Sequence, residues 1–255
     1  MTDKERIIQL FNTNVKGKIP NVSDQNQKHD GKYGHWLEKQ FGIPANRNNA
    51  PDLLGYELKN QTTSKISFGD WSANYYIFKD DDFSDIFQGR KTEEKRDIFL
   101  RIFGHNVTGR YSWSGSPCPK INKYNDFGQV LSISNDNNIL AIYSYSQDKR
   151  LEKSTIVPIK LQKENLILAL WEEKSLQGNL EKKFNQKGWF TCKTDSTGAY
   201  NEICFGAPMN YSTWLDLVRK GIVFFDSGMH EGNSRPYSIW RTNNAYWDSL
   251  IIERY

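Results

Sequence analysis

The chain is 255 residues long, enough for one sizeable core or two smaller lobes, and its formal net charge of +4 neither demands nor excludes a polyanionic partner. Three cysteines, Cys118, Cys192 and Cys204, are odd in number and lack C-x-x-C spacing, which excludes a disulfide framework and a zinc finger and predicts reduced thiols in a cytosolic setting. The start, MTDKERIIQLF, is not signal-like, no run of about 18 apolar residues occurs, and eight Trp argue against disorder, so neither secretion, a membrane span nor an unfolded chain is expected.

Ile7, Ile8, Leu10 and Phe11 follow Thr2 and Asp3 at helical spacing and predict a short amphipathic helix. After the polar run SDQNQKHDGK, Tyr33, Trp36, Leu37 and Phe41 recur at three and four, and Gly42 with Pro44 supplies the stop of a second helix. Glu38 lies inside it, one turn beyond Gly34. IPANRNNAP reads as a loop, and PDLLGYELKNQTT as a hairpin turning at Gly55. Thr92 to Phe103 predicts a helix closed by Gly104, and GRYSWSGSPCPKINKYNDFG an exposed loop, with Trp113 expected to tuck into the core.

From Gln129 onward, QVLSIS, ILAIYSYS, STIVPIKL and NLILALWEE are β-rich runs separated by polar turns, which predicts a separate sheet in the second half. A helix over Ser212 to Lys220 ends at Gly221, and GIVFFDSGMHEGNSRPYSIWRTN reads as two strands around EGNS. The expected division is a catalytic lobe over 1–128 and a second β-rich lobe over 129–255, whether or not the two form one domain.

Phosphodiester hydrolysis needs carboxylates to hold a metal and a group to generate or orient hydroxide. In PDLLGYELK, Glu57 and Lys59 are two apart and share one strand face, while Tyr56 and Leu58 share the other. A tight turn at Leu54 and Gly55 returns Asp52 beside them, and the carbonyl of Leu58 is a further candidate metal ligand. This is the spelling of a PD-x-n-E-x-K nuclease site, although acids and bases also alternate on many exposed strands.

Context sharpens the reading. Gly31, Gly34, Leu37, Glu38 and Gly42, followed by Asp52, Gly55, Glu57, Leu58 and Lys59, follow a G-x-x-G-x-x-L-E-x-x-x-G … D-x-x-x-G-x-E-L-K pattern. The unit resembles the MutH-like subgroup of PD-(D/E)xK nucleases and, within it, the MvaI/BcnI family of type II restriction endonucleases. DGKYGHWLEKQFG, SKISF, DIFLRIFG, NLILALWEE, DLVRKGIVFFD and IWR have similar-looking counterparts in the same order, and only the first is specific.

The resemblance implies an α/β (α+β) fold with a restriction-endonuclease-like core: a mixed central β-sheet flanked by helices, in a MutH-like two-lobed architecture. It implies Mg2+, with Mn2+ as a substitute, Asp52 and Glu57 as metal ligands, Lys59 as the water-activating or charge-stabilising group, and Glu38 as a supporting acid. The substrate would be double-stranded DNA. With a single catalytic spelling, a monomer would have to cut the two strands one at a time, which is what the resemblance implies, and dimerisation is the alternative way to double the site. A cognate DNA methyltransferase is expected in the same system without being a stable partner. A MutH-type mismatch-repair nicking enzyme and a non-catalytic DNA-binding module are the alternatives.

For reading DNA, the C-terminal hairpin offers His230, Arg235 and Arg241, of which His230 and Arg241 match a histidine and an arginine of the resembling family by position. Arg110 and Lys120, interleaved with Tyr111 and Trp113, suit phosphate contacts. Ordinary surface cations on an exposed hairpin remain the alternative for the hairpin residues, and a solubilising loop whose aromatics tuck into the core for Arg110 and Lys120.

Overall fold

The computed structural model describes residues 1–23, 31–44, 49–60 and 64–255; most of the polar run after the first helix, the middle of IPANRNNAP and the end of the hairpin segment lie outside them. In chain order the first elements are α1 (Asp3–Asn14), α2 (Lys32–Gln40), β1 (Glu57–Leu58), β2 (Lys65–Asp70), β3 (Tyr75–Tyr76), α3 (Thr92–Phe103), β4 (His105–Val107), β5 (Arg110–Ser112), β6 (Phe127–Ile133) and β7 (Ile139–Asp148). They are followed by α4 (Lys153–Ile156), β8 (Leu166–Trp171), α5 (Glu173–Phe184), β9 (Trp189–Thr194), β10 (Tyr200–Gly206), α6 (Tyr211–Arg219), β11 (Phe224–Asp226), β12 (Ile239–Asn243), α7 (Asn244–Ser249) and β13 (Ile251–Arg254). The chain divides into two compact units, one of residues 1–66, 178–213 and 242–255, the other of 67–177 and 214–241. This partition differs from a cut at 128/129, because the strand bearing Glu57 pairs with a strand from the far half of the chain.

The first unit is built on a mixed sheet ordered β1-β9-β10-β13, with β1 parallel to β9 and the other pairs antiparallel. Thr2 caps α1 through a reciprocal capping box with Glu5, worth ~1 kcal/mol. Ile7 and Phe11 of α1, Leu37 of α2 and Phe41 just after it bury against Tyr56, Leu58, Phe190, Cys192 and Phe205. Trp36 stacks on Tyr200 with ring centroids 5.7 Å apart, and Phe41 meets Phe190 edge-on at 5.2 Å. Residues of opposite parity on the sheet pack elsewhere: Trp189 meets Trp247 of α7 at 4.8 Å, and Trp247 meets Phe184 of α5 at 6.0 Å. The strand period of two therefore sends Tyr56 and Leu58 into the α1/α2 core and Glu57 and Lys59 to the α5/α7 face.

In the second unit an antiparallel sheet runs β3-β8-β7-β6, and β4 and β5 form a hairpin. β11 and β12 pair antiparallel. Much of the aromatic content packs here: Phe99 of α3 contacts Phe78 and Trp113, and Trp171, Phe225 and Trp240 interlock at 5.0–5.6 Å.

Two expectations need correction. STIVPIKL is not a strand but α4 followed by a single helical turn over Ile159–Leu161, because Pro158 has no N–H for a ladder and Ile159 is left exposed. GRYSWSGSPCPKINKYNDFG is not simply an exposed loop: it opens with β5, and Ser112, Trp113 and Cys118 are buried. As expected, Trp113 lies in the core, its indole N–H donating to Gln129 Oε1 at 2.6 Å. The C-terminal hairpin exists, with Gly232 of EGNS at φ +83°, but a long connection separates its strands.

Candidate active site

The site begins with a two-residue turn. Leu53 and Tyr56 exchange both backbone hydrogen bonds, at 3.0 and 2.9 Å, with Leu54 at φ +52° and Gly55 at +87° between them. Two consecutive left-handed residues make a type I′ turn, whose twist suits a hairpin; glycine takes its position freely, whereas Leu54 costs about 1 kcal/mol. The turn folds Asp52 back so that its Oδ2 accepts a hydrogen bond from the Leu58 N–H at 2.9 Å.

Glu57 and Lys59 donate their backbone N–H groups to the carbonyls of Gly188 and Phe190, at 3.0 and 2.8 Å. Alternation then turns the peptide groups of Leu58 away from β9, toward the side where Asp52 lies, and its carbonyl shares that direction. Among the described residues β1 is an edge strand, with no further strand of the sheet on this side.

The side chains of Glu57 and Lys59 are not surface charges: the two residues are buried, at 2% and 6% exposure. Lys59 Nζ lies 2.9 Å from Glu57 Oε1 and 5.0 Å from the centre of the Phe184 ring. Lys183 of α5 brings a second ammonium to the same oxygen, at 3.0 Å. The other carboxylate oxygen, Glu57 Oε2, is buried and has no hydrogen-bond partner among the described residues. Sequence reasoning misses Lys183. Leu176, Leu180 and Phe184, four apart, carry a helical signal, but nothing local says that the last turn of that helix meets β1.

Burial, with neighbouring charge, shifts the titration of Asp52, Lys59 and Glu38. Burial, reinforced by the Glu57 charge, pushes the Asp52 carboxyl up to about 7, against the pull of Lys59, the Leu58 N–H and Lys183. Burial holds Lys59 below the usual ammonium range, opposed by Glu57. Glu38 is half-buried in α2 and belongs to the same electrostatic cluster: burial raises its carboxyl, His35 lowers it, and Glu57, Lys183 and Lys59 also act on it. The structure thus brings Asp52, Glu57, Leu58, Lys59 and Glu38 into one neighbourhood.

The donor set suits a hard cation. Two carboxylates and a peptide carbonyl are all oxygen ligands, and the unpartnered Glu57 Oε2 supplies a lone pair already stripped of water. No group of three or more His, Cys, Asp or Glu side chains able to hold a metal occurs among the described residues. The cation that fits is one that keeps several waters and shares a phosphate, which is the habit of magnesium.

The cations assigned to DNA contact are distributed over the second unit. Arg235 pairs with Asp70 at 2.5 Å and lies over the Tyr237 ring, and Arg241 lies 3.1 Å from Asp226 Oδ2. His230 has both ring nitrogens engaged: Nδ1 lies 2.7 Å from the Glu231 carbonyl and must donate, so Nε2 accepts from Asn233 Nδ2 at 2.9 Å. Arg110 and Lys120 are exposed and form no ion pair among the described residues. The connection carrying His230 is tied down by segments that sequence reasoning does not link to it. The Trp113 backbone N–H donates to the Met229 carbonyl, the Tyr111 N–H to Glu231 Oε2, and the buried Arg96 to the Asn233 carbonyl.

Residues 14–255 match the family described as LlaMI restriction endonuclease. The type II restriction enzyme ScrFI of Lactococcus lactis subsp. cremoris is 52% identical over 98% of both chains. Among solved structures, the complex of restriction endonuclease MvaI with its cognate DNA substrate superimposes with a TM-score of 0.63 over 100% of this chain and 98% of that one, at 14% identity. That likeness establishes the restriction-endonuclease-like fold, in agreement with the mixed sheet flanked by helices. No helix among the described residues is long and apolar enough to cross a membrane. The chain belongs to the LlaMI restriction endonuclease family, and its enzyme class is that of the type II restriction endonucleases.

Proposed function

We propose that the protein hydrolyses phosphodiester bonds of double-stranded DNA at a specific short site in the presence of Mg2+, with Asp52, Glu57 and Lys59 at the reacting phosphate. The observation that carries this reading is the buried Glu57 carboxylate, one oxygen held by Lys59 and the other without a partner among the described residues, beside an Asp52 folded back onto Leu58. Mn2+ would substitute, since it accepts the same oxygen ligands.

Asp52, Glu57 Oε2 and the Leu58 carbonyl would hold the ion. When bound, Mg2+ supplies positive charge against the phosphate oxygens and acidifies water. Lys59, held below the usual ammonium range by burial, is suited to orient the attacking water, exchange its proton or stabilise charge on the phosphate. Glu38, raised by burial, is a supporting acid in the same cluster. Arg110 and Lys120 would contact phosphates, and His230, Arg235 and Arg241 base edges. With one set of catalytic residues, a monomer would cut the strands one after the other, and a cognate methyltransferase acting separately would protect host DNA.

Time-resolved digestion of a supercoiled plasmid with Mg2+ tests this. Nicked circles should precede linear product, and all ends should map to one sequence. Asp52→Asn and Lys59→Ala should each abolish cleavage and leave specific binding intact; variants that still cut would place the chemistry elsewhere.

A further inference from the structure

We propose that Lys183 is a positioning residue of the cleavage reaction, one that pins the Glu57 carboxylate and makes cation loading depend on bound DNA. This rests on the nuclease reading of the site. Two ammonium groups, Lys59 and Lys183, meet on the single oxygen Oε1, at 2.9 and 3.0 Å, while Oε2 has no partner among the described residues. Lys59 alone already pairs with the Glu57 carboxylate; Lys183 converges on the same oxygen and also acts on Asp52 and Glu38, so its charge bears on every acid of the site.

α5 delivers this charge from a firm support. Phe184, the next residue, is fully buried, lies against the Lys59 ammonium and packs on Trp247 at 6.0 Å. Glu181, on the same last turn, accepts from the Tyr211 N–H at 3.1 Å. The Lys183 backbone is therefore fixed, while its side chain, 20% exposed against 8% for Lys59, reaches Glu57 from the wetter side.

Tying Oε1 twice fixes the rotation of the carboxylate and leaves Oε2 as the ligand atom. The additional positive charge also repels a divalent ion from the DNA-free site, until a phosphate brings compensating negative charge.

The test is manganese binding by the full-length protein without DNA, measured by electron paramagnetic resonance or calorimetry, alongside cleavage at saturating metal. Lys183→Met should bind Mn2+ about tenfold more tightly than the wild type without DNA. It should also show a smaller gain in Mn2+ affinity when non-cleavable DNA is added, and cleave roughly tenfold more slowly. Lys183→Arg, which keeps the charge, should restore wild-type Mn2+ affinity. Unchanged Mn2+ affinity in a folded Lys183→Met protein overturns the proposal, and so does an Arg variant that behaves like Met. If Lys183→Met fails to fold, Lys183→Gln carries the same expectations. Asp52→Asn separates the two readings: wild-type protein that binds no Mn2+ with or without DNA, or an Asp52→Asn variant that binds it normally, overturns the nuclease site itself.

Discussion

The two regions assigned to chemistry and to DNA reading are built on opposite electrostatic plans. At the edge of the first unit's sheet, Asp52, Glu57, Lys59 and Lys183 are forced together in partial or full burial, and Asp52 is held up at about 7 by burial and by its neighbour's charge. In the second unit the basic side chains have mostly found local partners: Arg235 with Asp70, Arg241 with Asp226, Arg101 with Glu231, and His230 with Asn233 and a backbone carbonyl. The first site holds unrelieved charge that a cation would relieve. In the second, Arg235, His230 and Arg101 are hydrogen-bonded within the protein and Arg241 is ion-paired with Asp226, although its buried Nε makes no hydrogen bond among the described residues. Reading bases with such groups means exchanging a partner within the protein for one on the DNA, with a smaller net gain per contact.

The contrast is broken most severely at Asp52. Asp52→Asn removes a proposed metal ligand and should reduce the Mg2+-dependent cleavage rate by roughly a thousandfold or more, measured on a single-site plasmid. The same change should stabilise the metal-free protein. A carboxylate whose folded pKa is raised destabilises the native state above that pKa, and the penalty disappears as pH falls from about 7 toward the unfolded value of 3.8. Thermal melts in chelator should therefore show the Asp52→Asn variant more stable than the wild type at pH 8, by ~2 kcal/mol, with the gap closing toward pH 4. An equal destabilisation at every pH would show that Asp52 is a structural residue and that the charge crowding is not felt.

Gly55→Ala tests the geometry that creates the crowding. A Cβ at φ +87° is strained whatever the space, and at 3.1 Å from the Lys187 Cδ it also asks that flexible side chain to give by a few tenths of an ångström, so the type I′ turn is weakened. The expected cost is ~1–2 kcal/mol in stability, with a loss of roughly ten- to a hundredfold in cleavage, because Asp52 is displaced from Leu58 while DNA binding is untouched. Melting curves and single-turnover cleavage measure the two effects separately.

Much of this site is legible in the sequence because it is local. The alternation of Tyr56 and Leu58 against Glu57 and Lys59, the glycine turn that returns Asp52, and the helix bearing Glu38 all lie within a short span of chain. The burial of Glu57 and Lys59 is not legible, because it depends on β9 and α5, which arrive from the other half of the sequence. For the same reason a cut at 128/129 differs from the two units found, and Lys183 has no local signature. In the second unit the hairpin strands are readable from Gly232 and the apolar runs on either side. The acids that pair with Arg235 and Arg241, and the Arg96 that holds the Asn233 carbonyl, carry no local signal.

Arg241→Ala sharpens the second half of the comparison. If Arg241 leaves Asp226 to contact a base edge, discrimination between the cognate site and a site altered at one base pair should narrow by about 10- to 100-fold. Competition binding with a divalent ion that does not support cleavage, at fixed salt, measures this. Weakening that is uniform across sequences would make Arg241 a phosphate contact or a purely structural partner of Asp226.

The smallest effect is expected at Lys120, and it distinguishes the two kinds of cation within the second unit. Lys120 is exposed and forms no ion pair among the described residues, so binding DNA costs it no internal partner. A lysine in that condition gains from counterion release, a contribution that depends on salt and not on sequence. Lys120→Ala should weaken binding by a few-fold, equally for cognate and altered sites, and reduce the slope of log affinity against log salt by about 1. Arg241→Ala should instead leave the slope nearly unchanged while altering the ratio between sites. The opposite pairing of results would mean that the internally paired arginine tracks the backbone and the exposed lysine reads the sequence.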